Sequence, residues 1–325
     1  MKILNIIPAL ATVALLVACG GNRAAGGDNA AAAGNDTVQT VVDFNADSAY
    51  RYVKTQCDFG PRVPGTPAHS QCGTYIESQL RKSCDQVIVQ QAPVTTFDGK
   101  RLNAVNYIGV VNPDATQRIL LVAHWDCRPW ADNDPDPAKR KMPVMGANDA
   151  ASGTAVLLEL ARLMKSRKPA IGVDFLITDA EDWGTDSNEE SWALGTQYWA
   201  AHPHVDGYRP MYGILLDMVG AKGATFMQEG FSIQVSQPLV DAIWDTAEKS
   251  GYGKFFVAKS MGSVNDDHVP INRAGITCID IIDMRPETEA GFFKHWHTTS
   301  DTMEHIDPAT LKAVGQTIAN FIYSI

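Results

Sequence analysis

Downstream of residue 45 the chain alternates between apolar residues at helical spacing and short, unbroken apolar runs. Ala46, Tyr50, Val53 and Cys57 recur on one helical face, and Gly60-Pro61 closes that helix. From Gly60 to Pro67, GPRVPGTP, three prolines in seven positions remove backbone donors and bias their neighbours to extended geometry. A second helix is predicted over about 68–83.

Four apolar runs of strand length come next, each ending in polar or acidic residues. Arg118 to Ala123 runs into His124-Trp125-Asp126, and Gly172 to Thr178 into Asp179-Ala180-Glu181-Asp182. Tyr212 to Leu216 ends in Asp217, and Ile276 to Ile282, interrupted by Asp280, ends in Asp283. Amphipathic periodicity predicts helices over about 152–165, 190–202 and 238–250, and Asp307-Pro308 opens a last one over about 308–323. Continuous apolar strands separated by such helices predict an α/β fold in a single domain. Its central sheet is mixed, mainly parallel, with helices on both faces.

In such sheets the binding crevice lies at the carboxyl ends of the strands, which is where His124 and the acids are expected. The polar loop carrying His295-Trp296-His297 is expected to fold back over it. The segment 127–142 is polar and proline-broken, and reads equally as a mobile flap or a plain surface loop.

The amino terminus has a different pattern. Lys2 precedes an apolar run that ends in Leu16-Val17-Ala18-Cys19-Gly20, the form of an export signal and too short for a confident membrane span. The Leu-Val-Ala-Cys quartet resembles a bacterial lipobox, which implies acylation of Cys19; the competing reading is an ordinary cleaved signal with a chance cysteine. The expected organisation is a signal peptide at 1–18, a lipid-anchored flexible tether at 19–40 and a folded domain at 41–325. The tether assignment rests on its Gly, Ala and Asn content, which is too apolar-poor to fold.

Charge narrows the partners. With 37 acidic and 27 basic residues the net charge is -10, which argues against nucleic acid, because phosphate binding needs a basic surface. Beyond Cys19 the five cysteines, at 57, 72, 84, 127 and 278, match no zinc knuckle or redox pair, and their odd number leaves at least one thiol free.

The chemistry centres on Met145 to Gly153, MGANDAASG, which sets Asp149 at a junction leading into a helix. Asp149, Asp182 and His297 form a candidate zinc site, since catalytic zinc commonly takes three protein O or N ligands and keeps a position open. Any one of them alone reads as readily as a surface or capping residue. Glu181, next to Asp182, is then placed beside the open position, where a partly dry pocket raises a carboxylate pKa toward that of a general acid/base.

In combination, His124-Trp125-Asp126, GANDAASG at 146–153, the Glu181-Asp182 pair, Leu216-Asp217 and the late His297 resemble the zinc-dependent M28 peptidase superfamily. Within it, Asp266-Asp267-His268, His295-Trp296-His297 and FGPRVPGTP at 59–67 resemble the glutaminyl cyclases (glutaminyl-peptide cyclotransferases). The resemblance runs from about residue 45 to the end. It implies a zinc-aminopeptidase-like fold, a single zinc on Asp149, Asp182 and His297, and proton transfer by Glu181. Asp217 and Asp266 are implied to form a hydrogen-bonded acid network beside Glu181, with Trp296 and, more loosely, Trp183 in the pocket wall. The animal enzymes have Glu-Glu at 181–182, a histidine at Asp280 and a disulfide near Ala123 and Thr154, none of which this chain has.

The expected activity is therefore cyclisation of N-terminal glutamine on peptides, by a monomer facing the periplasm and anchored through Cys19. The alternative is a two-zinc aminopeptidase, in which His124 and Asp217 join Asp149 to hold a second metal. A catalytically inert, lipid-anchored peptide-capture protein is a further alternative, disfavoured because Glu181 is needed for proton transfer and not for binding.

Overall fold

Side-chain alternation along the central strands divides the core in two. On strand β3 (Arg118–His124), Ile119, Leu121 and Ala123 face one helical layer while Leu120 and Val122 face another, and all five are fully buried. The computed structural model describes residues 42–260 and 262–325, which form one structural unit. The leader, Cys19 and the tether at 19–40 lie outside the described residues.

The first layer holds helices α1 (Ala46–Asp58), α2 (Pro67–Ser83), α3 (Ala151–Ser166), α5 (Gly230–Lys249) and α7 (Pro308–Tyr323). The second holds the shorter α4 (Leu194–Ala201) and α6 (His268–Arg273), through Trp199 and Ile271. Between them lies a six-stranded sheet. Its chain-order strands are β1 (Gln86–Thr95), β2 (Arg101–Val111), β3, β4 (Gly172–Thr178), β5 (Gly213–Asp217) and β8 (Cys278–Ile282). The spatial order is β1-β2-β4-β3-β5-β8, with β4, β3, β5 and β8 parallel and the β1–β2 hairpin antiparallel at one edge. Strands β6 (Phe226–Gln228) and β7 (Phe256–Ser260) form a separate parallel pair.

The four parallel strands and the helices α1, α2, α3 and α7 follow the apolar pattern to within one or two residues. The hairpin does not appear in that pattern, because β1 is a half-exposed edge strand and contains Pro93, which such an edge tolerates. The helix expected over 190–202 is α4 preceded by a 3-10 turn at Glu189–Ser191, with Ala193 in the left-handed region between them. The helix expected from 238 starts at Gly230, where the Glu229 carboxylate accepts the Phe231 and Ser232 N–H groups, and it kinks at Ser236 ahead of Pro238. All five described cysteines are buried thiols.

Helix α3 packs tightly against β5. A Cβ at Gly153 would fall well inside contact distance of the Leu216 carbonyl oxygen and 3.1 Å from the Ala123 Cβ. We expect Gly153→Ala to cost about 1–3 kcal/mol through overpacking, measured as a lower urea midpoint; an unchanged midpoint would contradict this packing.

Candidate metal centre and active-site pocket

The parallel strands deliver their carboxyl ends to one crevice. His124 ends β3, Asp217 ends β5, the turn after β4 carries Glu181 and Asp182, and Asp149 precedes α3. The His297 loop closes over them. His297 Nε2 lies 3.2 Å from Asp182 Oδ1 and 3.6 Å from Asp149 Oδ2. Asp149, Asp182 and His297 each offer a ligand atom within 4.8 Å of the others, and so do His124, Asp149 and Asp217. All five side chains are buried.

The three-residue set Asp149, Asp182 and His297 fits a zinc ion on its own chemistry. It supplies two carboxylates and an imidazole, and Asp182 Oδ2 is buried without a hydrogen-bond partner. The second set offers the same donor types, and in it His124 Nε2 lies 3.1 Å from both Asp149 Oδ1 and Asp217 Oδ1. Burial opposes protonation of His124, but its contacts with Asp126, Asp149 and Asp217 outweigh that and raise its pKa well above the usual value.

Backbone hydrogen bonds hold the ligand-bearing turns in place. Asp126 accepts the N–H of Glu181 at 3.1 Å on one oxygen and that of Asp182 at 3.3 Å on the other. Asp301 does the same for Asn148 and Asp149, at 2.9 and 3.0 Å. The Arg62 guanidinium, fully buried, donates to the Met145 and Gly146 carbonyls that begin the same turn. This gives a role to the arginine of FGPRVPGTP and to the first glycine of GANDAASG. Ala180, Met218 and His297 lie in the left-handed region of backbone space, strain that collects at functional sites.

The segment 127–142 is neither flap nor plain surface loop. Arg128 donates to Asp132 and to the Asp182 and Gly184 carbonyls, and its guanidinium lies 4.9 Å from the Trp192 ring and 5.1 Å from the Trp130 ring. Asn133 N–H donates to the His297 carbonyl, Asp134 accepts from the Thr299 N–H and hydroxyl, and Asp132 Oδ1 lies 3.6 Å from His297 Nδ1. This segment holds the His297 loop against the site.

A cavity of about 310 Å³ opens onto the centre. Its buried end is lined by Asp149, Glu181, Asp217, Asp266 and His297, and its walls include Trp192 and Trp296. Trp296 stacks on His297 with ring centroids 3.8 Å apart, and Trp192 lies nearly parallel to the same imidazole at 6.1 Å.

Trp183 does not line the cavity. It packs among Ala92, Leu102 and Leu194 with Lys100 over its ring, while the chain turns at Asp186-Ser187 and Trp192, whose ring lies against Gly184, reaches the pocket instead. Asp283, at the end of β8, also turns away, toward Arg285 and the Thr225 N–H. Asp179 faces His69 and the Val105 N–H.

Glu181, Asp217 and Asp266 share the cavity and act on one another as like charges. Burial raises Glu181 well above the usual glutamate value, and Asp266 and Asp182 add to this against the opposing His124. Burial and Asp217 hold Asp266 high, and burial with Asp149 pushes Asp217 up to about 6. Among the described residues, Glu181, Asp217 and Asp266 line the cavity together with no hydrogen bond between their side chains. Asp266 makes a hydrogen bond to the Asp267 N–H through Oδ1, and its Oδ2 is left without a partner. Asp280 lies behind it with both oxygens unpartnered, 4.0 Å from His268 Nδ1.

Comparison with known proteins agrees with this architecture. A solved glutaminyl cyclase from Bacteroides thetaiotaomicron is 48% identical, superimposes with a TM-score of 0.85, and covers 87% of this chain and 99% of its own. A zinc-dependent exopeptidase from Parabacteroides distasonis is 49% identical, with the same TM-score and coverage. The aminopeptidase YwaD of Bacillus subtilis is 28% identical over 257 residues, 75% of this chain, and this chain spans about half of that relative's length.

Because Asp126 supports both Glu181 and Asp182, Asp126→Ala is expected to weaken zinc binding roughly 10–100-fold in competition with a chelator, with a smaller loss for Asp126→Asn. Unchanged affinity in both variants would remove Asp126 from the account. The pattern of peptidase family M28 matches residues 106–322, and the chain belongs to that family.

Proposed function

We propose that this protein is a zinc-dependent glutaminyl-peptide cyclotransferase, closing the N-terminal glutamine of peptides to pyroglutamate and releasing ammonia. The observation that carries the proposal is the single cavity that joins the Asp149, Asp182 and His297 donor set to a buried carboxyl group on Glu181.

A zinc ion on those three residues would supply a Lewis acid for the γ-carbonyl of the substrate. The nucleophile is the peptide's own α-amino group, already tethered to the carbon it attacks, so no activated water is required. Glu181 takes the proton from that amine as the new N–C bond forms. It returns the proton to the departing amide nitrogen as the old C–N bond breaks and ammonia leaves. Burial, with the like charges of Asp266 and Asp182, holds the Glu181 carboxyl well above the usual glutamate range against the opposing His124. Trp192 and Trp296 confine a small, flat side chain and keep water from competing.

We infer one ion per chain, a reading supported by the Asp266-Asp267-His268 and His295-Trp296-His297 motifs that resemble the cyclases and by the 48% identity to a solved glutaminyl cyclase. A two-metal aminopeptidase is the second reading, favoured by the ligand spacing of those same residues. We further propose that the chain is tethered to the cell envelope through Cys19 and faces the periplasm, a reading that rests on the leader sequence.

Incubation with a glutamine-initiated peptide is expected to yield ammonia and a pyroglutamyl product by mass spectrometry; release of free amino acid would establish the peptidase instead. Glu181→Gln is expected to retain zinc while losing about 10²–10⁴ of kcat. Loss of zinc together with activity would show that Glu181 is a ligand.

A further inference from the structure

The cavity has a charged direction that the cyclisation chemistry does not use. Its buried end holds Asp266, whose Oδ2 is without a partner, next to Glu181, while its mouth carries the exposed Asp186 and Glu189. Of the three acids on that loop, Glu190 is paired with Arg273 at 2.8 Å and does not line the cavity. Asp186 and Glu189 do line it, and neither side chain has a hydrogen-bond or ion-pair partner among the described residues. Among the described residues lining the cavity there is no lysine or arginine. The loop is held in place, since the Glu189 carbonyl accepts from Asn265 and Asn188 caps the turn at Glu190.

We propose, building on the cyclotransferase reading, that Asp186 and Glu189 select peptides carrying a lysine or arginine at the second or third position. An N-terminal residue whose amine meets Glu181 and Asp266 occupies the buried end. The chain then leaves through the mouth at about 3.3 Å per residue, which brings the next side chains to the two unpaired carboxylates. With a zinc ion held by Asp149, Asp182 and His297, charge at the buried end would be offset and the rim carboxylates of Asp186 and Glu189 would stay negative. A cationic side chain is attracted to this rim and an acidic one is repelled.

The experiment compares kcat/KM for Gln-Lys-Ala, Gln-Ala-Ala and Gln-Glu-Ala. Values are expected to fall in that order, with roughly three- to tenfold between first and last at low ionic strength, narrowing at about 1 M salt. The paired substitution Asp186→Lys and Glu189→Lys is expected to reverse the order, a result that misfolding cannot produce. Equal values for the three peptides, or an order unchanged by the paired substitution, overturns the rim's role and leaves cyclisation standing. If none of the three is cyclised the reaction itself is overturned, and calorimetric binding of the same peptides then reads the rim alone, equal affinities counting against it.

Discussion

Repulsion among buried carboxylates at the carboxyl ends of the parallel strands is the constraint on which the rest of this structure depends. Asp149, Asp182, Asp217, Glu181 and Asp266 share one crevice, and burial makes each charge costly unless it is answered. The fold answers most of them. His124 lies between Asp149 and Asp217, His297 and Arg128 approach Asp182, and backbone N–H groups are directed at Asp126 and Asp301. Buried carboxylate oxygens left without a hydrogen bond include Asp182 Oδ2, Asp266 Oδ2 and both oxygens of Asp280.

The way the chain meets this constraint explains its less regular parts. The segment 127–142 is ordered because Arg128, Asn133 and Asp134 fasten it to the two turns that carry Asp182 and His297. Arg62 and Asp301, distant in sequence, clamp the same turn from its two ends. The metal donors therefore rest on supports spread over the whole chain. A zinc-binding defect can arise far from the ligands.

Much of this was legible in the residues. Unbroken apolar strands ending in acids located the crevice, and the combination of motifs selected Asp149, Asp182 and His297 from many carboxylates and histidines. Side-chain direction in loops was not legible, because no periodicity encodes it. Trp183 and Trp192 look alike in a polar segment, and only the turn between Thr185 and Asn188 decides which reaches the pocket. Asp283 ends a strand as Asp217 does, yet Arg285 two residues on draws it away. Asp301 sits in a polar run, TTSDT, that reads as an ordinary loop, and Asp126 stood in a recognised motif without a role until its two acceptor bonds were seen.

One fold and nearly one ligand set serve both reactions under comparison. We propose a single Lewis acid beside a proton-carrying glutamate. Zinc content per chain, measured by atomic emission on catalytically active protein equilibrated with excess zinc and then freed of unbound metal, tests this most directly. The account predicts one tightly bound ion. Two ions of comparable affinity, both required for turnover, would contradict it.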